Sequence, residues 1–199
     1  MLGNKGGLKI IIGVLVVLGL AVWYTIGKYN AMVALDETVI TAWSQVENVY
    51  QRRIDLIPNF VESVKGYAAH EENTLTAVVE ARAKATSTTV DINDAASLQA
   101  FNAVQGELSS ALSKLLVVVE SYPDLKANQN FMLLQTELES TENRIAVERK
   151  KFNETVMEYN IYIRTFPTNL VANAFNFEQA NQFEAIEGAD VAPVVNFDK

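Results

Sequence analysis

The sequence predicts an all-α protein: a single N-terminal transmembrane helix, an antiparallel bundle of three to four long helices, and a short extended C-terminal tail. Three observations carry this expectation. An unbroken apolar run occupies Ile10–Gly27. Beyond it, apolar residues recur in steps of three and four, the spacing of one helix face. Four prolines and nine glycines in 199 residues are too few for the many turns of a β-sandwich or barrel.

The apolar run reads IIIGVLVVLGLAVWYTIG and carries no charge. As a helix it covers about 27 Å, close to the hydrocarbon thickness of a bilayer. Residues 1–9 form a short leading segment and 10–27 the span. Trp23, Tyr24 and Tyr29 fall at its far end, where amphipathic rings favour the lipid–water interface. A cleaved signal peptide would need a shorter apolar core and small residues before a cut site. Ala31 and Ala34 lie past Lys28, outside the run, so an uncleaved signal anchor is expected. Lys5 and Lys9 precede the span, whereas Lys28, Asp36, Glu37 and Glu47 follow it. The positive-inside rule therefore puts the N-terminus in the cytoplasm and the bundle outside. All 24 acidic residues fall beyond the first 28 positions. Gly13, Gly19 and Ala21 leave room for close helix contact within the lipid, so self-association is expected.

Residues 28–167 supply the bundle. The first apolar series runs Leu35, Val39, Ala42/Trp43, Val46, Tyr50, Ile54, Ile57, Phe60/Val61 and Val64. No proline or glycine stands between Gly27 and Pro58, so the span can continue as a stalk. Pro58 removes a backbone donor and predicts a kink or a break nearby; a break raises the helix count from three to four. The pattern resumes with Leu75, Val78/Val79 and Ala81/Ala83/Ala85, and ends at the hydroxyl-rich residues 86–89. Asp91 or Asp94 can cap the next series, Leu98, Phe101, Val104, Leu108, Leu112, Leu115 and Val119. That series stops at Tyr122–Pro123, because the residue before proline is pushed out of the helical region. The last runs from Phe131 through Leu134, Leu138, Thr141, Ile145, Phe152, Val156 and Tyr159 to Ile163, ending before Pro167. Residues 168–199 read as a short helix followed by an extended tail. There Phe175, Phe177, Phe183 and Phe197 are candidates for contact with the bundle or with another copy.

Composition excludes much chemistry. Without cysteine there are no disulfides, thiolate metal sites or thiol catalysis. A single histidine, His70, rules out a multi-histidine metal site in one chain. A net charge of −8 disfavours nucleic-acid binding, which needs a basic face. His70, Glu71 and Glu72 are sequence neighbours, so they do not converge from one helix face. Trp43 and Tyr50 read as core. No phosphate loop, nucleophile elbow or metalloprotease signature is present. No catalytic residue, metal or cofactor is expected.

One polar cluster stands out. Arg52, Arg53 and Asp55 share a turn, and Glu142, Asn143, Arg144, Glu148 and Arg149 share two turns of a later helix. Arg53 falls close to the apolar seam, where a lone guanidinium is costly to bury, so it needs a partner such as Glu142 or Glu148. The cluster is read as a structural polar layer fixing helix register. A ligand pocket in the bundle is the alternative. Asn128, Asn143 and Asn153 suit caps or this same network.

WSQVENVYQRRIDLIPNFVESVKGYAAHEENTLTAVVEARAKA and SYPDLKANQNFMLLQTELESTENRIAVERKKFNETVMEYNIYIRTFPTNLVA, with the closing VAPVVNF, resemble the LemA family of bacterial membrane-anchored proteins. The resemblance covers nearly the whole chain and implies an all-α antiparallel bundle behind one anchor. Some members carry a lipoprotein cysteine just before the equivalent of Tyr29–Asn30. Gly27–Lys28 stands there in this chain, which leaves the span as the only anchor. The lipidated relatives imply a bundle outside the cytoplasmic membrane. The family implies no established activity or catalytic residue. Relatives discussed beside membrane metalloproteases, and a branch in magnetosome formation, imply an adaptor or scaffold role. The expected partners are thus the lipid bilayer, further copies of the chain and another envelope membrane protein. A ligand- or stress-sensing module built on the Arg53 layer is the alternative.

Overall fold

The computed structural model describes residues 5–68 and 70–184. It is all-α, with no strand among the described residues. Its helices are α1 (Lys5–Lys65), α2 (Glu72–Ser87), α3 (Ala95–Val119), α4 (Pro123–Lys126), α5 (Gln129–Arg164) and α6 (Thr168–Ala174). The end of the chain, including the expected extended tail and Phe197, lies outside the described residues.

α1 is 61 residues long, about 90 Å of helix at 1.5 Å per residue. It passes Gly27 without interruption and passes Pro58 as well, so a break at Pro58 is corrected to one at Gly66. The reason is local. The amide that Pro58 lacks would have bonded the Ile54 carbonyl one turn earlier. The Nε of Arg82, on α2, donates to that carbonyl at 3.0 Å and takes the amide's place.

The other ends follow their residues. Asp94 caps α3 by accepting from the Ala96 amide at 2.9 Å. Asp91 instead accepts from Asn93 in the preceding turn. Pro123 opens α4 at a position where its missing amide costs nothing. Asn128 accepts from the Phe131 amide at the start of α5. α6 is shorter than the apolar stretch after it suggests. Asn176 takes a left-handed conformation (φ 58°), and the Phe177 amide reaches back to the Ala172 carbonyl at 3.0 Å. That pair of features is a Schellman stop, and asparagine tolerates it better than most residues.

The described residues fall into two compact units. One draws on Met1–Glu47 and Lys150–Ala180, the other on Asn48–Arg149 and Asn181–Lys199. In the first, α1 and the end of α5 run antiparallel. Trp43 meets Phe152 edge to face at 5.5 Å, and Lys28 Nζ donates to the Tyr162 hydroxyl at 3.5 Å. Met32, Val39, Val46, Val156, Tyr159, Ile163, Val171 and Ala172 are buried around them. In the second, Ile54, Ile57, Phe60 and Val64 of α1 join Leu75 and Val78 of α2 in one core. Leu108, Leu112 and Leu115 of α3 and Phe131 and Leu138 of α5 complete it. Phe60 stacks on Phe131 at 5.1 Å between ring centroids.

Arg82→Ala should therefore cost about 1–3 kcal/mol, because it leaves the Ile54 carbonyl unpaired. In a Pro58→Ala background the helix recovers its own amide, and the same substitution should cost markedly less. Chemical denaturation of the four proteins of this cycle measures the difference; equal costs in both backgrounds would contradict the substitution of one donor for the other.

Candidate functional site

Arg53 lies on the core face of α1, one residue before Ile54, and is 2 % exposed. Its two terminal nitrogens each have a defined partner. Nη1 donates to Glu142 Oε2 at 2.6 Å and to Ser109 Oγ at 2.9 Å. Nη2 donates to Gln105 Oε1 at 2.6 Å. The guanidinium also lies 5.2 Å from the centre of the Tyr50 ring, in cation–π range. Tyr50 in turn meets Phe101 edge to face at 4.9 Å. One buried cation thus ties α1 to α3 and α5.

The electrostatics are asymmetric. The Arg53 side chain is enclosed, but that of Glu142 is 56 % exposed, so the carboxylate keeps much of its hydration. The pair escapes most of the desolvation cost that two enclosed ions would carry. Burial raises the pKa of the Tyr50 phenol, and the cations Arg149 and Arg53 pull it back down. Two donors in the layer, Arg53 Nε and Gln105 Nε2, are buried without a hydrogen-bond acceptor.

The layer is narrower than the sequence cluster. Arg52, one position and so about 100° round the helix from Arg53, faces solvent and pairs with Glu137 there. Asp55 is exposed and accepts from Gln51 at 2.8 Å. Asn143 and Arg144 are also exposed. With Thr136, Glu139, Ser140 and Val147 they line a shallow open groove on α5. Glu148 and Arg149 are half-buried, and the Arg149 guanidinium lies 4.4 Å over the Phe183 ring. Phe183 itself is buried, which removes it from any surface offered to another copy.

Gln105 and Ser109 were absent from the sequence cluster. A signal existed for Gln105: it stands four residues after Phe101 and three before Leu108, on an otherwise apolar face. Ser109 carried no such mark. Glu71, part of the only histidine-bearing motif, sits at the start of α2 and accepts from the Tyr122 hydroxyl at 3.0 Å. That bond raises the Tyr122 pKa. Among the described residues, no three histidine or carboxylate side chains are grouped so that they could hold a metal ion.

The second region of interest is where the apolar run ends. The apolar stretch at the start of α1 has no part buried among the described residues. Gly13, Gly19 and Ala21 lie on that bare surface. Lys28 Nζ stands between the rings of Tyr24 and Tyr162, at 5.6 and 5.1 Å. Tyr29 meets Phe175 and Phe177 edge to face at 5.0 and 5.6 Å, so these two phenylalanines pack within their own chain. One turn or two above, Asp36 is partly buried. Burial first, and the neighbouring Glu37 second, raise its pKa. Burial, with Asp36 and Glu178, raises the pKa of Tyr159.

Comparison with known proteins adds the following. A family model described as the LemA family matches residues 42–197. Magnetosome protein MamQ 2 of Paramagnetospirillum magneticum is 25 % identical over 187 residues, covering 84 % of this chain and 68 % of that one. Protein LemA of Metamycoplasma hominis is 26 % identical over 176 residues, covering 87 % and 78 % respectively. Magnetosome protein MamQ of Magnetospirillum gryphiswaldense is 24 % identical over 187 residues, with shares of 84 % and 68 %.

Two measurements test the site. Arg53→Ala should lower unfolding free energy by about 3–5 kcal/mol, because it leaves three facing polar groups without their donor. Arg52→Ala next to it should cost under about 1 kcal/mol, as an exposed pair does. Denaturant titration of both compares them directly, and equal losses would contradict the layer. For Asp36, the folded pKa lies above the unfolded one, so the fold disfavours the carboxylate and its penalty is present above the folded pKa. Asp36→Asn should therefore raise Tm at pH 7, and the gain should vanish as pH falls below about 3.9, the unfolded value. Thermal melts across that range check the sign.

Proposed function

The chain belongs to the LemA family, and from that membership we propose that this membrane-associated helical protein is a non-enzymatic, self-associating scaffold or adaptor at the bacterial cell envelope. The observation that carries the reading is α1. Its first third presents an apolar surface that none of the described residues covers, and the same helix goes on to supply core residues from Val39 to Val64. A helix of that kind is a tether: lipid holds one part, and helix packing holds the other.

In this proposal the span lies in the cytoplasmic membrane, with the N-terminus in the cytoplasm and the bundle outside. The flanking charges support it: Lys5 and Lys9 precede the run, and every carboxylate follows it. Self-association is supported by Gly13 and Gly19, small residues on the bare face of the span. Relatives named as magnetosome proteins are compatible with a role in organising membranes. The Arg53 layer has a structural part in this reading, since its cation is engaged by three helices.

A second reading, a ligand-sensing module, is favoured by the two buried donors without acceptors, Arg53 Nε and Gln105 Nε2. Acetate is a small carboxylate probe for it. A saturable rise of Tm with acetate would support sensing, whereas none is expected of a scaffold.

The scaffold reading is tested by the mass of the detergent-solubilised full chain, measured by light scattering. More than one copy per particle is expected. A Cβ added at Gly13 or Gly19 meets nothing within 4 Å in its own chain. Gly13→Ile and Gly19→Ile should therefore leave the fold alone and shift the mass toward the monomer. A monomer in the unaltered protein would overturn self-association.

A further inference from the structure

We propose that the segment from Thr165 to Phe177, which follows α5 and contains α6, is a second membrane contact, dipping into the headgroup–acyl boundary of the bilayer beside the exit of the span. The proposal rests on reading Ile10–Gly27 as that span.

Register supplies the placement. In the first unit α5 descends along α1 in the opposite direction: Phe152 meets Trp43, and Tyr162 meets Lys28. Lys28 directly follows the apolar run. α5 ends at Arg164, two residues past Tyr162, and Phe166 follows in the turn just beyond that end. That carries it to the level where the apolar run ends. The chain then turns through α6 and returns to the same level, because Phe175 and Phe177 rest on Tyr29. The segment thus stands at the height of Trp23, Tyr24 and Tyr29, the rings expected at the interface.

Its chemistry matches that height. No charged residue occurs from Thr165 to Phe177, in a chain where one residue in five is charged. α6 already has a buried face in Thr168, Val171 and Ala172. Even so, Phe166 is 75 % exposed, Leu170 60 % and Phe175 50 %. Three large apolar side chains turned outward within ten uncharged residues, beside a filled inner face, offer an apolar surface for a non-aqueous partner. Against the boundary of a bilayer they are an ordinary interfacial anchor. Arg164, exposed, and Lys28 flank the patch and suit anionic headgroups. Charge and height together favour lipid over a second copy as the occupant.

The absence of cysteine makes the test clean. Single cysteines are placed in the full chain as Leu170→Cys, Phe166→Cys, Val14→Cys and Ser44→Cys, and each is labelled with an environment-sensitive NBD fluorophore. The proteins are reconstituted in vesicles of equal parts phosphatidylcholine and phosphatidylglycerol. Val14 reports the centre of the span. Ser44, exposed on α1 some four to five turns beyond Lys28, reports water. Labels at positions 166 and 170 should be quenched by lipids spin-labelled near the headgroup. Aqueous iodide should quench them at least about twofold less than the label at position 44, as expected for a shallow insertion of 5–10 Å. If position 14 is quenched by lipid while 166 and 170 follow position 44, the span stands and the second contact falls. Protection from iodide without quenching by lipid would mean that another copy covers the patch, and would also overturn it. No lipid quenching at position 14 would remove the span and this proposal with it.

Discussion

The structure depends on an unbroken backbone ladder in α1. A helix that leaves lipid satisfies its own amides and carbonyls within the apolar region, where no water can do so. α1 meets that demand from Lys5 to Lys65 and at one point needs help from outside. Pro58 withdraws an amide from the middle of the core-facing stretch, and the Arg82 side chain restores the missing bond to the Ile54 carbonyl. Because that carbonyl remains paired, the apolar series before and after Pro58 stays on one continuous face, and Ile54, Ile57, Phe60 and Val64 enter one core. A stop at Pro58 would have divided that face.

The same economy of polar groups is seen around Arg53. A buried guanidinium in a helical core is tolerable when its hydrogen bonds are met and its counter-charge stays partly hydrated. Ser109, Gln105 and the half-solvated Glu142 satisfy the two terminal nitrogens and supply that counter-charge, leaving Nε without an acceptor. The interaction is directional, unlike the leucine and valine contacts on either side. It therefore distinguishes one register of α1, α3 and α5 from those a turn away, which apolar packing alone would separate poorly.

Much of this could be read in the residues. The span, the ends of α3 and α5 ahead of Pro123 and Pro167, and an acidic partner for Arg53 all follow from hydropathy, proline sterics and the cost of burying charge. Three things did not. The rescue of Pro58 joins residues 28 positions apart through a backbone carbonyl, and carbonyls leave no mark in a sequence. The seam places Arg53, but the sequence cluster groups Arg52 with it although a rotation of about 100° turns that side chain to solvent. For the carboxyl-terminal aromatics the sequence leaves open contact with the bundle or with another copy, because their intrachain partners are remote: Phe183 lies against Arg149, and Phe175 and Phe177 against Tyr29. Family resemblance supplied the architecture without supplying any of these contacts.

The pairing of Trp43 with Phe152 has a consequence for biosynthesis. At roughly 5–20 residues per second, ribosomal elongation separates the appearance of the two rings by about 5–20 s. During that interval the stretch Val39–Val46 has left the apolar N-terminal segment behind and shows a hydrophobic stripe to solvent. The helices from Asn48 to Arg149 are nested inside this long loop and can complete their own packing first. The unit that holds Trp43 and Phe152 cannot begin to close until α5 is made, and a nascent chain halted before residue 150 would present its sticky stripe to chaperones and proteases.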